Sequence, residues 1–430
     1  MLLVTLFLLL SACTPVVDTP TPAPITVDTS TSTPSPSLTP ENTPTPTSTP
    51  VPWTSDTDIV FYEQDIIKRC ALLGDYKADH LTIENYSLLT NCGTESSDTR
   101  YCKISMVDGN FTETHFNTFE NPTSTLGIFS SPNGEWVATV QFTDSYQLIK
   151  LISSDGVVLD PKGTQVDKEL YLVDWLDEQT LLFDSGSYSF VDEEMREMYA
   201  FNPFTNVMEK KMVSLEGISP AEKFPIIKVN PSFDQVFYHP VLGLSQEDEE
   251  LNNSVIRNID TGEVLWRGFE YMNYTFPDWS IDGSLFALQN TRYSNSETVN
   301  PQTIVILDSK GDLVKTLWFE FLDGFSLNQI KWAPDKKILA IWVHVDGEPF
   351  YDFKLYLFDF EKSKIIDTCY TGSGMQWINW RPDSKGFIIN PGYNQISNSG
   401  PTYFDLQNFY VYSLNNWSDS PLQWIKRSDN

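Results

Sequence analysis

The chain has 430 residues, of which 58 are acidic and 28 basic, giving a net charge of −30. That balance argues against nucleic acid as a partner, because phosphate binding needs clustered Lys and Arg, and an anionic lipid surface would repel the chain as well. With 12 Trp, 19 Tyr and 27 Phe, the chain has ample apolar surface for a large core.

At the N-terminus, an apolar run over residues 2–10 leads into Leu10-Ser11-Ala12-Cys13. A cysteine behind small residues at the end of such a run resembles the lipobox of bacterial lipoproteins. The resemblance implies a signal peptide over residues 1–12, cleavage before Cys13 and lipidation of its thiol. The protein would then sit outside the cytoplasm, held to a bacterial membrane through its lipid anchor and exposed at the cell surface or in the periplasm. The run of nine residues is itself too short to span a bilayer of about 30 Å. Bacterial signals usually begin with Lys or Arg, whereas Met1 runs straight into Leu2-Leu3-Val4, so the true start codon is expected further upstream.

Residues 13–55 form the next segment. From Thr14 to Ser55 there are 11 prolines and 19 serines or threonines in 42 residues, with no Lys, Arg or Gly. Such a stretch cannot make a core and is expected to be a disordered Pro/Thr/Ser-rich linker. Extended as polyproline II at ~3.1 Å per residue, it would reach about 130 Å, the length of a stalk.

The remainder, residues 56–430, is repetitive. Ser130-Ser131-Pro132-Asn133-Gly134, Trp175-Leu176-Asp177, Val229-Asn230-Pro231, Trp279-Ser280-Ile281-Asp282-Gly283, Trp332-Ala333-Pro334-Asp335 and Trp380-Arg381-Pro382-Asp383 share one pattern. Their first residues are separated by 45, 54, 50, 53 and 48 positions. Pro presets the backbone of a type I turn, Asp or Asn tolerates its next position, and Gly takes the left-handed conformation that follows, so each stretch predicts a hairpin turn. A period near 50 marks a repeat architecture.

A second set of turns predicts seven units: Val107-Asp108-Gly109, Ile152 to Gly156, Phe201-Asn202-Pro203, Ile259 to Gly262, Leu307 to Gly311, Phe358-Asp359 and Leu414-Asn415-Asn416. Each lies between alternating apolar runs, so a unit reads as a four-stranded meander. The N-terminal unit is irregular, and its first turn cannot be placed between Leu81 and Thr90.

Tandem four-stranded units carrying Trp-x-Pro-Asp turns resemble the β-propellers of the TolB and WD-repeat kind. The resemblance implies an all-β fold, a seven-bladed β-propeller, with six or eight blades as alternatives. Ile59-Val60-Phe61-Tyr62 could supply a strand that closes the ring. Similar turns occur in the propellers of prolyl oligopeptidase relatives, whose hydrolase domain would be expected after Asn430.

Cys70, Cys92, Cys102 and Cys369 form an even set suited to disulfides in an oxidising compartment, with three pairings available. Cys92 with Cys102 would brace a hairpin, and Cys70 with Cys369 would fasten the N-terminal segment to the ring. No Cys-x-x-Cys or His-x-x-x-His spacing points to a metal, and His80, His115, His239 and His344 share no motif. Glu247-Asp248-Glu249-Glu250 reads as a solvated loop. There is neither a nucleophile elbow nor a phosphate loop, so no catalytic, cofactor or metal residues are assigned and no cofactor is expected.

Trp266, Trp318, Trp342 and Tyr351 could stack on sugars or peptides if they ring the channel mouth. The function expected is a non-catalytic binding or scaffold module, monomeric, for a protein or polysaccharide. The alternatives are an extracytoplasmic glycan hydrolase or lyase with hub carboxylates, and a purely structural envelope domain.

Overall fold

The computed structural model describes residues 66–74 and, with breaks at loops between strands, residues 81–427. Cys13, the stalk, Ile59 to Tyr62, His80 and the acidic run at 247–250 lie outside the described residues.

Seven antiparallel sheets form a seven-bladed β-propeller. Blade 2 begins with Ser124–Ser130, blade 3 with Tyr171–Trp175, blade 4 with Ile226–Val229 and blade 5 with Asp278–Trp279. Blade 6 begins with Phe325–Trp332 and blade 7 with Gln376–Trp380. These inner strands end where the repeated turns begin. In the turn of blade 2, Ser131 Oγ donates to Asn133 Oδ1 at 2.8 Å and accepts from the Trp136 backbone N–H at 3.0 Å. In blade 5, Ser280 Oγ does the same with Asp282 Oδ1 and the Leu285 N–H. The polar residues of the motif thus satisfy backbone donors that the turn would otherwise leave open.

Blade 1 is assembled from both ends of the chain. Its inner strand is Gln423–Lys426, paired with Tyr86–Glu95, which continues into Asp98–Val107 and Asn110–Glu120. The missing first turn of this unit is explained, because its first two strands are not joined by a hairpin. Leu422 is held against blade 7 by Asn390, which accepts its N–H at 2.8 Å and donates to its carbonyl at 3.1 Å. On the other side, the Lys426 N–H donates to Gly134 O of blade 2 at 2.6 Å. Radial repetition with a completed first blade leaves each sheet only the short edge of its own inner strand.

One predicted turn is displaced. In blade 7 the last two strands are Thr402–Asp405 and Tyr410–Ser413, so the turn lies between them and not at Leu414 to Asn416. Asp405 organises it by accepting the Gln407 N–H, and Phe409 takes the left-handed conformation at φ 60°. No Gly or Pro advertises that turn.

The core lies between blades. Trp342 and Trp424 are fully buried. At the end of the inner strands, Trp175 donates its indole N–H to Phe129 O at 2.9 Å, Trp380 to Lys331 O at 3.0 Å and Trp424 to Asn379 O at 3.0 Å, with a longer bond from Trp279 to Lys228 O at 3.5 Å. Each bond ties one blade to the blade before it while the ring fills the interface.

Two short strands extend the outer edges of neighbouring blades in parallel: Ile66–Lys68 on blade 6 and Leu72–Gly74 on blade 7. Between them Cys70 is disulfide-bonded to Cys369, and the Arg69 guanidinium lies 4.0 Å from the centre of the Phe409 ring. A second disulfide joins Cys92 to Cys102 across the first hairpin of blade 1.

Candidate functional site

The inner strands surround the central channel, and one position recurs at the same level: the residue before the first residue of the repeated turn in blades 2 to 7, and the residue before Trp424 in blade 1. Around the ring these are Gln423, Phe129, Asp174, Lys228, Asp278, Lys331 and Asn379. Four consecutive blades, 3 to 6, therefore present alternating charge, and the remaining three are uncharged.

The uncharged arc is closed by its own hydrogen bonds. Gln423 Oε1 accepts from Asn379 Nδ2 at 2.9 Å and from Ser130 Oγ at 3.2 Å. In the charged arc, Lys331 Nζ lies 2.8 Å from Asp278 Oδ1, and Asp278 Oδ2 accepts the Trp332 backbone N–H at 3.0 Å. Both oxygens of this buried carboxylate are thus occupied by donors. Asp174 Oδ1 accepts only the N–H of its neighbour Trp175, at 2.8 Å, and neither Asp174 nor Lys228 forms an ion pair among the described residues.

Burial and the adjacent charge of Lys331 pull the Lys228 ammonium below the ordinary lysine range, against the opposing pull of Asp278 and Asp174. For Lys331, burial acts in the same direction but is outweighed by Asp278 and Asp174, so its pKa is raised. Lys331 nevertheless keeps 31% of its side chain exposed. A side chain lining a narrow channel combines these properties, with protein on all sides and water along one path.

Two positions further back along the inner strands, Phe276 of blade 5 and Trp377 of blade 7 bring their rings to 4.6 Å, and Trp377 is 41% exposed. Between them Gln329 Oε1 accepts the Ile378 N–H at 2.6 Å. The channel wall thus carries an aromatic pair at one level and the charged arc at the next, as the two-residue period of a strand requires.

On the face that carries the turns, Asn133, Glu135, Trp136, Glu178, Gln179 and Phe204 line a cleft of about 210 Å³ between blades 2 and 3. The rings of Trp136 and Phe204 are 5.2 Å apart.

Reading the sequence assigns none of these residues to a site, although Asn133 stands in one of the repeated turns. The signal was present in the repeat itself: aligning the six turns places Asp174, Lys228, Asp278 and Lys331 in one column. The aromatic residues that were singled out lie elsewhere. Trp342 is buried between blades, stacked with Phe353 at 5.9 Å, and Trp266 lies on the outer strand of blade 4. Tyr351 and the Trp318 side chain fall outside the described residues. His115 is exposed and places Nδ1 3.2 Å from Cys102 Sγ, while His344 packs against Phe353. Cys92, Cys102 and His115 form the one group of at least three metal-ligand side chains among the described residues, but its two sulfurs are bonded to each other.

No family model and no curated protein matches the sequence. Solved structures do resemble the fold. Oligogalacturonate lyase from Vibrio parahaemolyticus is 12% identical with a TM-score of 0.44, covering 82% of this chain and 88% of its own. TolB from Acinetobacter baumannii is 12% identical with a TM-score of 0.39, covering 76% and 79%. The β-propeller domain of the Trilobed protease from Pyrococcus furiosus is 13% identical with a TM-score of 0.41, covering 72% and 90%. The likeness is one of architecture and assigns no activity.

Proposed function

We propose that this chain is a membrane-anchored extracytoplasmic binding module, tethered through Cys13 and the Thr/Pro-rich stalk, whose propeller recognises a protein or a surface polysaccharide. The observation that carries the reading is the state of the channel acids. Glycan hydrolysis by a carboxyl pair needs one acid that holds a proton to give, with a raised pKa. Asp278 instead accepts from Lys331 and from the backbone.

The Trp136–Phe204 cleft supports the same reading. The exposed Phe204 ring and the half-buried Trp136 beside it, flanked by amides and carboxylates, can stack on a sugar or peptide and fix its orientation through hydrogen bonds. The test is capture from envelope extract by the purified full chain, with glycan-array binding on the same material. Specific capture that falls on Trp136→Ala substitution is the expected result. Turnover of a glycan by the purified chain would overturn the reading in favour of an enzyme.

A further inference from the structure

The charged arc holds two pairs of opposite sign, and only one is closed. Asp278 and Lys331 meet at 2.8 Å, whereas Asp174 and Lys228, on adjacent blades 3 and 4, have no ion-pair partner among the described residues. All four belong to one electrostatic neighbourhood, since the charge of Asp174 acts on both lysines. Lys228 is half-buried and Asp174 exposed at the same level of adjacent inner strands, so both charges are open to an occupant that brings a partner to each.

The chemistry of that occupant follows from the signs. A simple anion would be drawn to Lys228 but repelled by Asp174, and a simple cation the reverse. We propose that the open Asp174/Lys228 pair is the binding site for a small zwitterion carrying an amine and a carboxylate, taken up in the central channel. The carboxylate accepts from Lys228 and the ammonium donates to Asp174, both as charge-assisted hydrogen bonds. The depressed pKa of Lys228 agrees with this role, because a bound carboxylate would favour its charged form. The inference goes beyond recognition at the outer cleft, because it places a small molecule at the hub.

The test uses calorimetric titration of the full chain with glycine, β-alanine and γ-aminobutyrate, which space the two charges differently. Acetate and methylammonium serve as the single-charge halves. One zwitterion is expected to bind about tenfold or more tightly than either half, at a single saturable site. Lys228→Met and Asp174→Asn should each abolish that preference, while Lys228→Arg retains binding. Thermal unfolding identifies any variant that fails to fold, and Asp174→Asn and Lys228→Met test the pair from opposite sides. Acetate binding as tightly as the zwitterions, no saturable binding by any of the three, or undiminished binding in both neutralised variants would overturn the proposal. Because this readout needs no macromolecular partner, its failure is distinct from failure of the surface-binding reading.

Discussion

Trp424 donates its indole N–H to the carbonyl oxygen of Asn379 at 3.0 Å, joining the last strand of the chain to blade 7 by the bond that Trp380 makes to Lys331 one blade earlier. The closing strand therefore docks with the same chemistry that joins covalently consecutive blades. Trp332 occupies the equivalent place in blade 6, but its indole nitrogen is buried without a hydrogen-bond partner. Trp424→Phe should cost about 1 kcal/mol for the lost bond, and Trp424→Ala about 3–5 kcal/mol for the cavity. Trp332→Phe should cost less than Trp424→Phe. Urea unfolding of the three variants measures the differences, and equal costs for the two Phe variants would refute the assigned role of the indole bond.

Gly134 sits at φ 70°, and a Cβ there would meet Pro382 Cγ at 3.0 Å and the Tyr86 ring at 3.2 Å. With no hairpin turn over blade 1, the turns of blades 7 and 2 approach each other across it. Gly262 has a similar φ of 71°, but a Cβ there meets nothing within 4 Å. Gly134→Ala should therefore be more destabilising than Gly262→Ala, which carries only the backbone penalty of about 1 kcal/mol. Matched unfolding midpoints for the two variants would count against the tight approach.

The Cys70–Cys369 bond spans 299 residues and pins strands that lie on two blades. Replacing both cysteines by serine should lower stability by about 2–4 kcal/mol and open residues 66–74 to limited proteolysis. A non-reducing peptide map reads the pairing directly.

Burial raises the pKa of Asp282, but hydrogen bonds from Lys336, Ser284 and Ser280 outweigh it and hold the carboxyl well below the ordinary carboxylate range. Asp359 is depressed in the same way, with Lys362 as its principal partner against burial. A folded-state pKa below the unfolded value of about 3.9 gives stability that is present above that pH and lost as pH falls below it. The unfolding midpoint should hold from pH 7 to about 5 and fall steeply below about 4. Asp282→Asn should make that fall shallower.

Lys228 presents the opposite sign. Because burial and Lys331 disfavour its charged form, Lys228→Met should raise the unfolding midpoint at pH 7 while removing the hub cation. A gain in stability bought with a loss of binding is the pattern of a functional residue. A lower midpoint for Lys228→Met would argue that the lysine is structural.

Much of the fold was legible because each turn is specified by adjacent residues. Pro, Asp and Gly fix a hairpin within five positions, and the Trp before them marks the end of an inner strand, so counting such stretches counts blades. The turn at 405–409 has no local signature because Phe409 carries the left-handed conformation that Gly or Asn usually announces. Ile66–Lys68 and Leu72–Gly74, at three residues each, are too short to display any period.

The repeat, its four-strand unit and the chemistry of its turns are written along the chain, since these depend on backbone preferences and hydrogen bonds between near neighbours. How the ring closes and what faces the channel depend on contacts between blades far apart in the chain. Tyr86 meets Lys426 only once seven blades have brought the two ends of the chain together. Asp174, Lys228, Asp278 and Lys331 lie about fifty residues apart along the chain and become one electrostatic group only because the blades set their inner strands around a common axis.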